Sequence, residues 1–188
     1  MTTPRVIRAG DGRRSRWKNG GGETVEVAAH PAGSGLDEFD WRVSTALVAA
    51  DGPFSAFPGV DRTLAILSGG GLELTVGTGE PLRLTVASDP IAFPADAPCA
   101  ARLLGGPVTD LNVMTRRGRH THAVGRLAVT GPVALGSRGG TTLVFCRDGG
   151  IAAGGTLLEP GDALVLTGAA DLAPRDGAAT ALVVTIRP

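Results

Sequence analysis

The chain's only lysine, Lys18, stands in the stretch Trp17-Lys18-Asn19-Gly20-Gly21-Gly22-Glu23-Thr24, while the other 17 of its 18 basic residues are arginine. Lysine offers a compact, strongly hydrated ammonium where arginine offers a planar fork. An indole precedes it, an amide follows it, and three glycines let the backbone approach a partner closely or adopt positive φ. Trp17, Lys18 and Asn19 are therefore candidates for holding a small anion, with loop N–H groups as further donors. A desolvated lysine could also act as a base or form a Schiff base. An ordinary surface lysine before a Gly-rich turn is the simpler alternative, and the segment alone leaves these readings open.

A second set of polar residues falls in segments of strand character. Alternate residues of a strand share a face, so Arg42 goes with Ser44, and Asp110 with Asn112, Met114 and Arg116. Arg62 opens the almost wholly apolar run Thr63–Leu67. Charged groups in such runs are costly to bury unless paired. One account pairs Asp110 with Arg62 or Arg42 as an internal salt bridge. In another, an arginine grips a ligand carboxylate in fork geometry while Asn112, Ser44 or Ser55 reads its other polar groups. The two accounts are compatible. Trp17, Trp41, Phe54 and Phe57 all precede Arg62, and they serve either as core filler or as the apolar wall of such a site.

The chain has three histidines, His30, His120 and His122. His120 and His122 would share a strand face, but no third imidazole or carboxylate at ligand spacing accompanies them. The expectation is a site without metal or other cofactor. No nucleophile and base stand at recognisable spacing, which favours binding over turnover.

The elements that must position these groups are strands. Asp51-Gly52-Pro53, Gly69-Gly70-Gly71, Gly105-Gly106-Pro107, Gly149-Gly150 and Pro160-Gly161-Asp162 punctuate the chain with turns. Between them lie the short runs Glu23–Ala29, Trp41–Val48, Thr63–Leu67, Leu72–Val76, Leu82–Val86, Leu111–Met114, Thr141–Phe145, Ala163–Leu166 and Ala181–Ile186. Such spacing predicts an all-β sandwich or barrel, with at most one helical turn at Leu36–Phe39. Leu64–Gly71 is echoed by Leu143–Gly150, and Leu111–Arg116 by Ala181–Ile186. This repeat of roughly 70–80 residues suggests two similar barrels, divided here into an N-terminal half, 1–118, and a C-terminal half, 119–188.

The 188 residues carry 18 acidic and 18 basic side chains, for no net charge. That balance argues against nucleic acid or an anionic membrane as partner, since both draw affinity from surplus positive charge. The arginines from Arg5 to Arg16 then read as a solvated face. No apolar run reaches membrane-spanning length. Cys99 and Cys146, far apart, read as small buried hydrophobes in a reducing compartment, and the expected location is cytoplasmic. A homodimer is left open.

Four ordered motifs carry a family resemblance: Trp17-Lys18-Asn19-Gly20-Gly21-Gly22-x-Thr24; Phe39-x-Trp41-Arg42-x-Ser44-x-Ala46; Asp51-Gly52-Pro53-Phe54-Ser55-x-Phe57-Pro58-Gly59-x-Asp61-Arg62; and Asp110 through Gly118. Across roughly residues 17–118 the chain resembles the HutD/Ves family. The resemblance implies a bicupin fold, with two cupin-like β-barrels in one chain. It also implies association with bacterial histidine utilisation, where the family is thought to sense or limit intermediates such as N-formylglutamate or urocanate. The combined reading is a metal-independent protein that binds a small anionic metabolite in a regulatory role. A metal-independent cupin enzyme using Lys18, or a partner-binding module, is the alternative.

Overall fold

The computed structural model describes residues 4–17, 20–136, 139–166 and 168–188. Its elements are all strands, and among the described residues no helix is long and apolar enough to cross a membrane. The chain divides into two compact units. Arg13–Thr121 forms one; His122–Pro188, together with the N-terminal stretch through Gly12, forms the other.

In the first unit a six-stranded antiparallel sheet runs in the order β2 (Arg14–Arg16), β3 (Gly22–His30), β4 (Trp41–Val48), β11 (Val108–Arg116), β6 (Val60–Ser68), β9 (Ile91–Pro94). A smaller sheet has the order β5 (Gly52–Pro53), β10 (Cys99–Leu103), β7 (Leu72–Val76), β8 (Leu82–Leu84). Inward residues of both sheets meet in one apolar core containing Leu64, Ile66, Phe93 and Val108 from the first and Leu72, Leu74, Leu84 and Cys99 from the second. A smaller cluster of Phe39, Val60, Ala95 and Met114 stands apart from it. The polar inward residues of β11 and β6 come between these two apolar groups in the sequence of each strand.

The second unit repeats this plan. Its larger sheet runs β1 (Arg5–Ile7), β17 (Ala163–Leu166), β14 (Thr141–Asp148), β19 (Ala179–Arg187), β12 (Thr121–Val129); its smaller one runs β13 (Val133–Leu135), β18 (Ala170–Pro174), β15 (Ile151–Ala153), β16 (Thr156–Leu158). The order β4-β11-β6-β9 thus reappears as β12-β19-β14-β17, and β5-β10-β7-β8 as β13-β18-β15-β16. The core of this unit is built on Val144, Cys146, Ile151, Leu158, Leu164 and Leu172. Both cysteines are free and buried, one in each core.

One boundary differs from the sequence expectation. The N-terminal residues, placed above in the first half, pair with the second: Val6 lies opposite Leu164. A turn made by Glu159-Pro160-Gly161-Asp162 holds them there. Gly161 has φ +94°, which suits the third position of a type II turn. The turn aims the Asp162 carboxylate at the Ala9 N–H (2.8 Å), the Glu159 N–H (3.0 Å) and the Arg8 guanidinium (2.6 Å), all of which donate to it. Burial acts to raise the Asp162 carboxyl, but these donors prevail and hold it below the usual carboxylate range. The segment Leu36–Phe39, expected to make at most one helical turn, is a turn closed by Glu38 N–H donating to Gly35 O.

Candidate functional site

The first unit's polar interior is set by register. Across the large sheet Asn112 on β11 lies opposite Ser44 on β4 and Leu64 on β6, and Met114 lies opposite Arg42 and Arg62. Because side chains alternate along each strand, this brings Arg42, Ser44, Arg62, Asp110, Asn112 and Met114 to one face. All six are buried.

Arg62 is the centre of the arrangement. Its guanidinium lies against the Phe54 ring, 4.7 Å from the centroid, and 5.7 Å from that of Phe93, a cation–π setting that suits a desolvated arginine. Nε and Nη2 both donate to Oδ1 of Asn112, the former at 2.8 Å. The Asn112 amide then turns its Nδ2 to Oδ1 of Asp110 at 2.6 Å. A guanidinium on one side demands the amide oxygen and a carboxylate on the other demands the NH2, so the orientation is forced. The expected internal salt bridge is therefore indirect, with Asn112 standing between Arg62 and Asp110.

Asp110 is wholly buried, and its Oδ2 has no hydrogen-bond partner. Burial pushes its carboxyl up to about 7, against the pull of the Arg62 charge, the Asn112 hydrogen bond and the Ala46 backbone N–H. Burial likewise lowers the Arg62 guanidinium from its ordinary value, opposed by Asp110. Arg42 is neutralised differently. Its Nε donates to Oε2 of Glu26 on β3 at 3.0 Å, and its Nη1 reaches Oγ of Ser44 at 3.4 Å.

These groups open on a cavity of about 510 Å³, within the range of small-molecule sites. Of the residues expected at a site, Trp17, Arg42, Ser44, Phe54, Ser55, Arg62, Asn112 and Met114 line it. Two do not. Trp41 precedes Arg42, so strand alternation sends it to the opposite face of β4, where it stacks on His30 (6.0 Å, 15°). Asp110 lies one inward position beyond Asn112, between Ala46 and Ile66, and acts only through it. Lys18 and Asn19 lie outside the described residues. The sequence reading also missed Ser15, Arg16, Thr24 and Leu36 on the wall; the first two sit on a three-residue strand too short to recognise.

The Gly-rich stretch closes the hairpin of β2 and β3. Trp17 N–H donates to Gly22 O at 2.9 Å, and its indole Nε1–H donates to Thr24 Oγ1 at 2.8 Å. The ring meets Phe54 edge-on at 6.4 Å. A Cβ on Gly22 would sit 2.3 Å from the Leu47 carbonyl oxygen and 3.0 Å from the Trp17 ring, so this glycine is required by close packing. Gly22→Ala should destabilise the protein by about 1–3 kcal/mol and shift the Trp17 emission, both measurable in one denaturant titration followed by fluorescence.

The rim is braced by ion pairs. Arg117 joins Asp61 (2.7 Å) and Asp96 (2.8 Å) and donates to Val60 O, holding the Asp96 carboxyl well below its usual range. Arg116 donates to the carbonyls of Phe39 and Asp37 (3.1 and 3.0 Å) and lies over the Phe39 ring. It thereby anchors the segment that carries Leu36 to the cavity. His30 and His120 meet edge-on at 6.1 Å. Among the described residues no three His, Cys, Asp or Glu side chains converge as a metal site would require.

The comparisons with known proteins agree with this geometry. The HutD family model matches residues 9–183. The chain belongs to the HutD family. It is similar to an uncharacterised 21.2 kDa protein in the hutC 3′ region of Pseudomonas putida, 40% identical over 114 residues, and to protein Ves of Citrobacter koseri, 38% identical over 130. Those alignments cover 61% and 69% of this chain and span only 59% and 66% of the relatives' own length. The structure of HutD from Pseudomonas fluorescens SBW25, solved in a formate condition, matches at TM-score 0.83 and 32% identity, covering 99% of this chain and all of the other. A cupin 2 conserved barrel domain protein from Leptotrichia buccalis matches at TM-score 0.61 and 10% identity over 96% of this chain and 98% of its own. That last likeness concerns the fold alone: this HutD family member has an all-β, cupin-like fold.

Proposed function

We propose that the protein binds a small carboxylate-bearing metabolite of histidine breakdown in the 13–121 barrel, without a metal, as a cytoplasmic regulatory or sequestering protein. The observation that carries this reading is Arg62. Asn112 occupies Nε and one Nη2 hydrogen, and Nη1 makes no hydrogen bond to any described residue. The free end of the fork, Nη1 with the second Nη2 hydrogen, has the spacing of a carboxylate and belongs to a side chain that lines the cavity. Ser44 and Ser55 add hydroxyls, while Phe54, Phe57 and Leu36 supply an apolar wall. The hutC-region relative and the HutD structure support the association with histidine utilisation.

Binding is favoured over turnover because Asp110, whose carboxyl burial pushes up to about 7, is sealed behind Asn112 and away from the cavity wall. The test is a thermal-shift panel of formate, N-formylglutamate and urocanate on protein shown by elemental analysis to be metal-free. A ligand at a hundred times its Kd stabilises the native state by about 2.7 kcal/mol. For a chain of this size that corresponds to a rise in Tm of roughly 5–10 °C. No shift with any of the three, or binding only after a transition metal is restored, would overturn the reading.

A further inference from the structure

Among the described residues, the interior of the 13–121 unit holds few charges. Arg42 on β4 and Glu26 on β3 form an ion pair and cancel, with the exposed Arg13 a further 3.6 Å from Glu26. On the facing sheet, Cys99 of β10 is held neutral, its thiol raised by burial despite the nearby Arg62 charge. Ala46 and Ile66, the cross-strand neighbours of Asp110, are apolar. What remains among the described residues is Arg62 and Asp110. With Asp110 ionised the interior has no net charge, and an arriving anion becomes the second carboxylate served by one guanidinium. With Asp110 protonated the interior is cationic by one unit and matches a single anion.

The hydrogen-bond chain permits that exchange without rearrangement. Asn112 separates the acid from the guanidinium, so no ion-pair contact breaks when Asp110 becomes neutral. Its Oδ1 goes on accepting from Asn112, and Oδ2, fully buried and without a partner, is the place for a proton. We propose that the barrel takes up one anion together with one proton, the anion on Arg62 and the proton on Oδ2 of Asp110. This rests on the reading of Arg62 as the anion site and adds the linkage to it. Burial holds the carboxyl at about 7, so the exchange falls in the neutral range. An anion on Arg62 removes the charge that was lowering it and raises it further. Above pH 7 each anion must then bring its proton from solution, and affinity drops about tenfold per pH unit.

The experiment uses the full-length chain and formate, which stays ionised from pH 5.5 to 8.5. Proton uptake on mixing is read with an indicator dye in weak buffer, and Kd from the fluorescence of Trp17 in the cavity wall. We expect uptake approaching one proton per formate at pH 8, little below pH 6, and a Kd that climbs with pH. Asp110→Asn, which mimics the protonated acid, should bind without uptake and with a Kd independent of pH. Should that variant fail to fold, carboxyl ¹³C NMR of aspartate-labelled wild type gives the same information. One carboxyl should titrate near neutrality and move upward with formate. Formate binding with a flat Kd and no uptake would overturn the coupling and leave the Arg62 reading standing. Absence of formate binding at every pH would remove both.

Discussion

Replacing Arg62 by methionine should weaken carboxylate binding roughly ten- to a hundredfold. A charge-assisted hydrogen-bonded contact is worth about 1.5–3 kcal/mol, and about 1.4 kcal/mol is tenfold in Kd. Methionine keeps an unbranched side chain between Phe54 and Phe93, so the packing term changes little while the charge is lost. Arg62→Lys should not restore affinity. Its ammonium keeps the charge, but it cannot donate to Asn112 Oδ1 with two N–H groups and still present a two-pronged edge to the cavity. The measurement is a titration with N-formylglutamate on variants whose circular dichroism and melting curves match the parent. Unchanged affinity in a folded Arg62→Met variant would exclude Arg62 from the site. Arg42→Met serves as the internal comparison. That guanidinium is already committed to Glu26 and Ser44, so its loss should disturb stability more than binding.

Much of the fold is legible in the sequence because glycines and prolines isolate β-branched runs. Trp41–Val48, Leu72–Val76 and Ala163–Leu166 have the same limits in the structure as in the sequence reading. The strands that escaped lack that signal. Cys99–Leu103 is mostly alanine and arginine, and Thr121–Val129 is half-exposed with a glycine at its centre. The N-terminal strand could not be placed because its partner, β17, lies near the other end of the chain.

At the site, alternation along single strands correctly joined Arg42 to Ser44 and Asp110 to Asn112 and Met114. Pairing across strands was beyond it, because bulges decide the register. A shift between Glu26 and Ala28 brings Glu26 opposite Ser44 and within reach of Arg42. Once Glu26 has taken Arg42, Asp110 is left to face Arg62 alone. The same alternation, applied one residue earlier, would have placed Trp41 outside the cavity.

Asp110→Asn should change the pH dependence of stability more than its stability at any one acidic pH. The carboxyl is raised from its usual 3.8 to about 7 in the folded protein, so between these values the folded state holds a proton that the unfolded chain has released. Its stabilising contribution is complete below about pH 4 and is lost as the pH rises through about 7. The span of about 3 pH units, at about 1.4 kcal/mol each, sets a limit near 4 kcal/mol for the wild-type decline from this group. The variant does not titrate there. Its stability relative to wild type should therefore improve on going from pH 4.5 to pH 8, by an amount approaching that limit. Asp162 and Asp96 shift the other way. Their contributions are present above their unfolded values and vanish only in stronger acid, so they lie outside this window. Every other titratable group is common to both proteins and cancels in the difference. Urea unfolding at constant ionic strength, repeated at intervals of half a pH unit, supplies the two curves. If they run parallel, Asp110 is ionised throughout, and the buried chain from Arg62 through Asn112 is an ion-pair network with no proton to exchange.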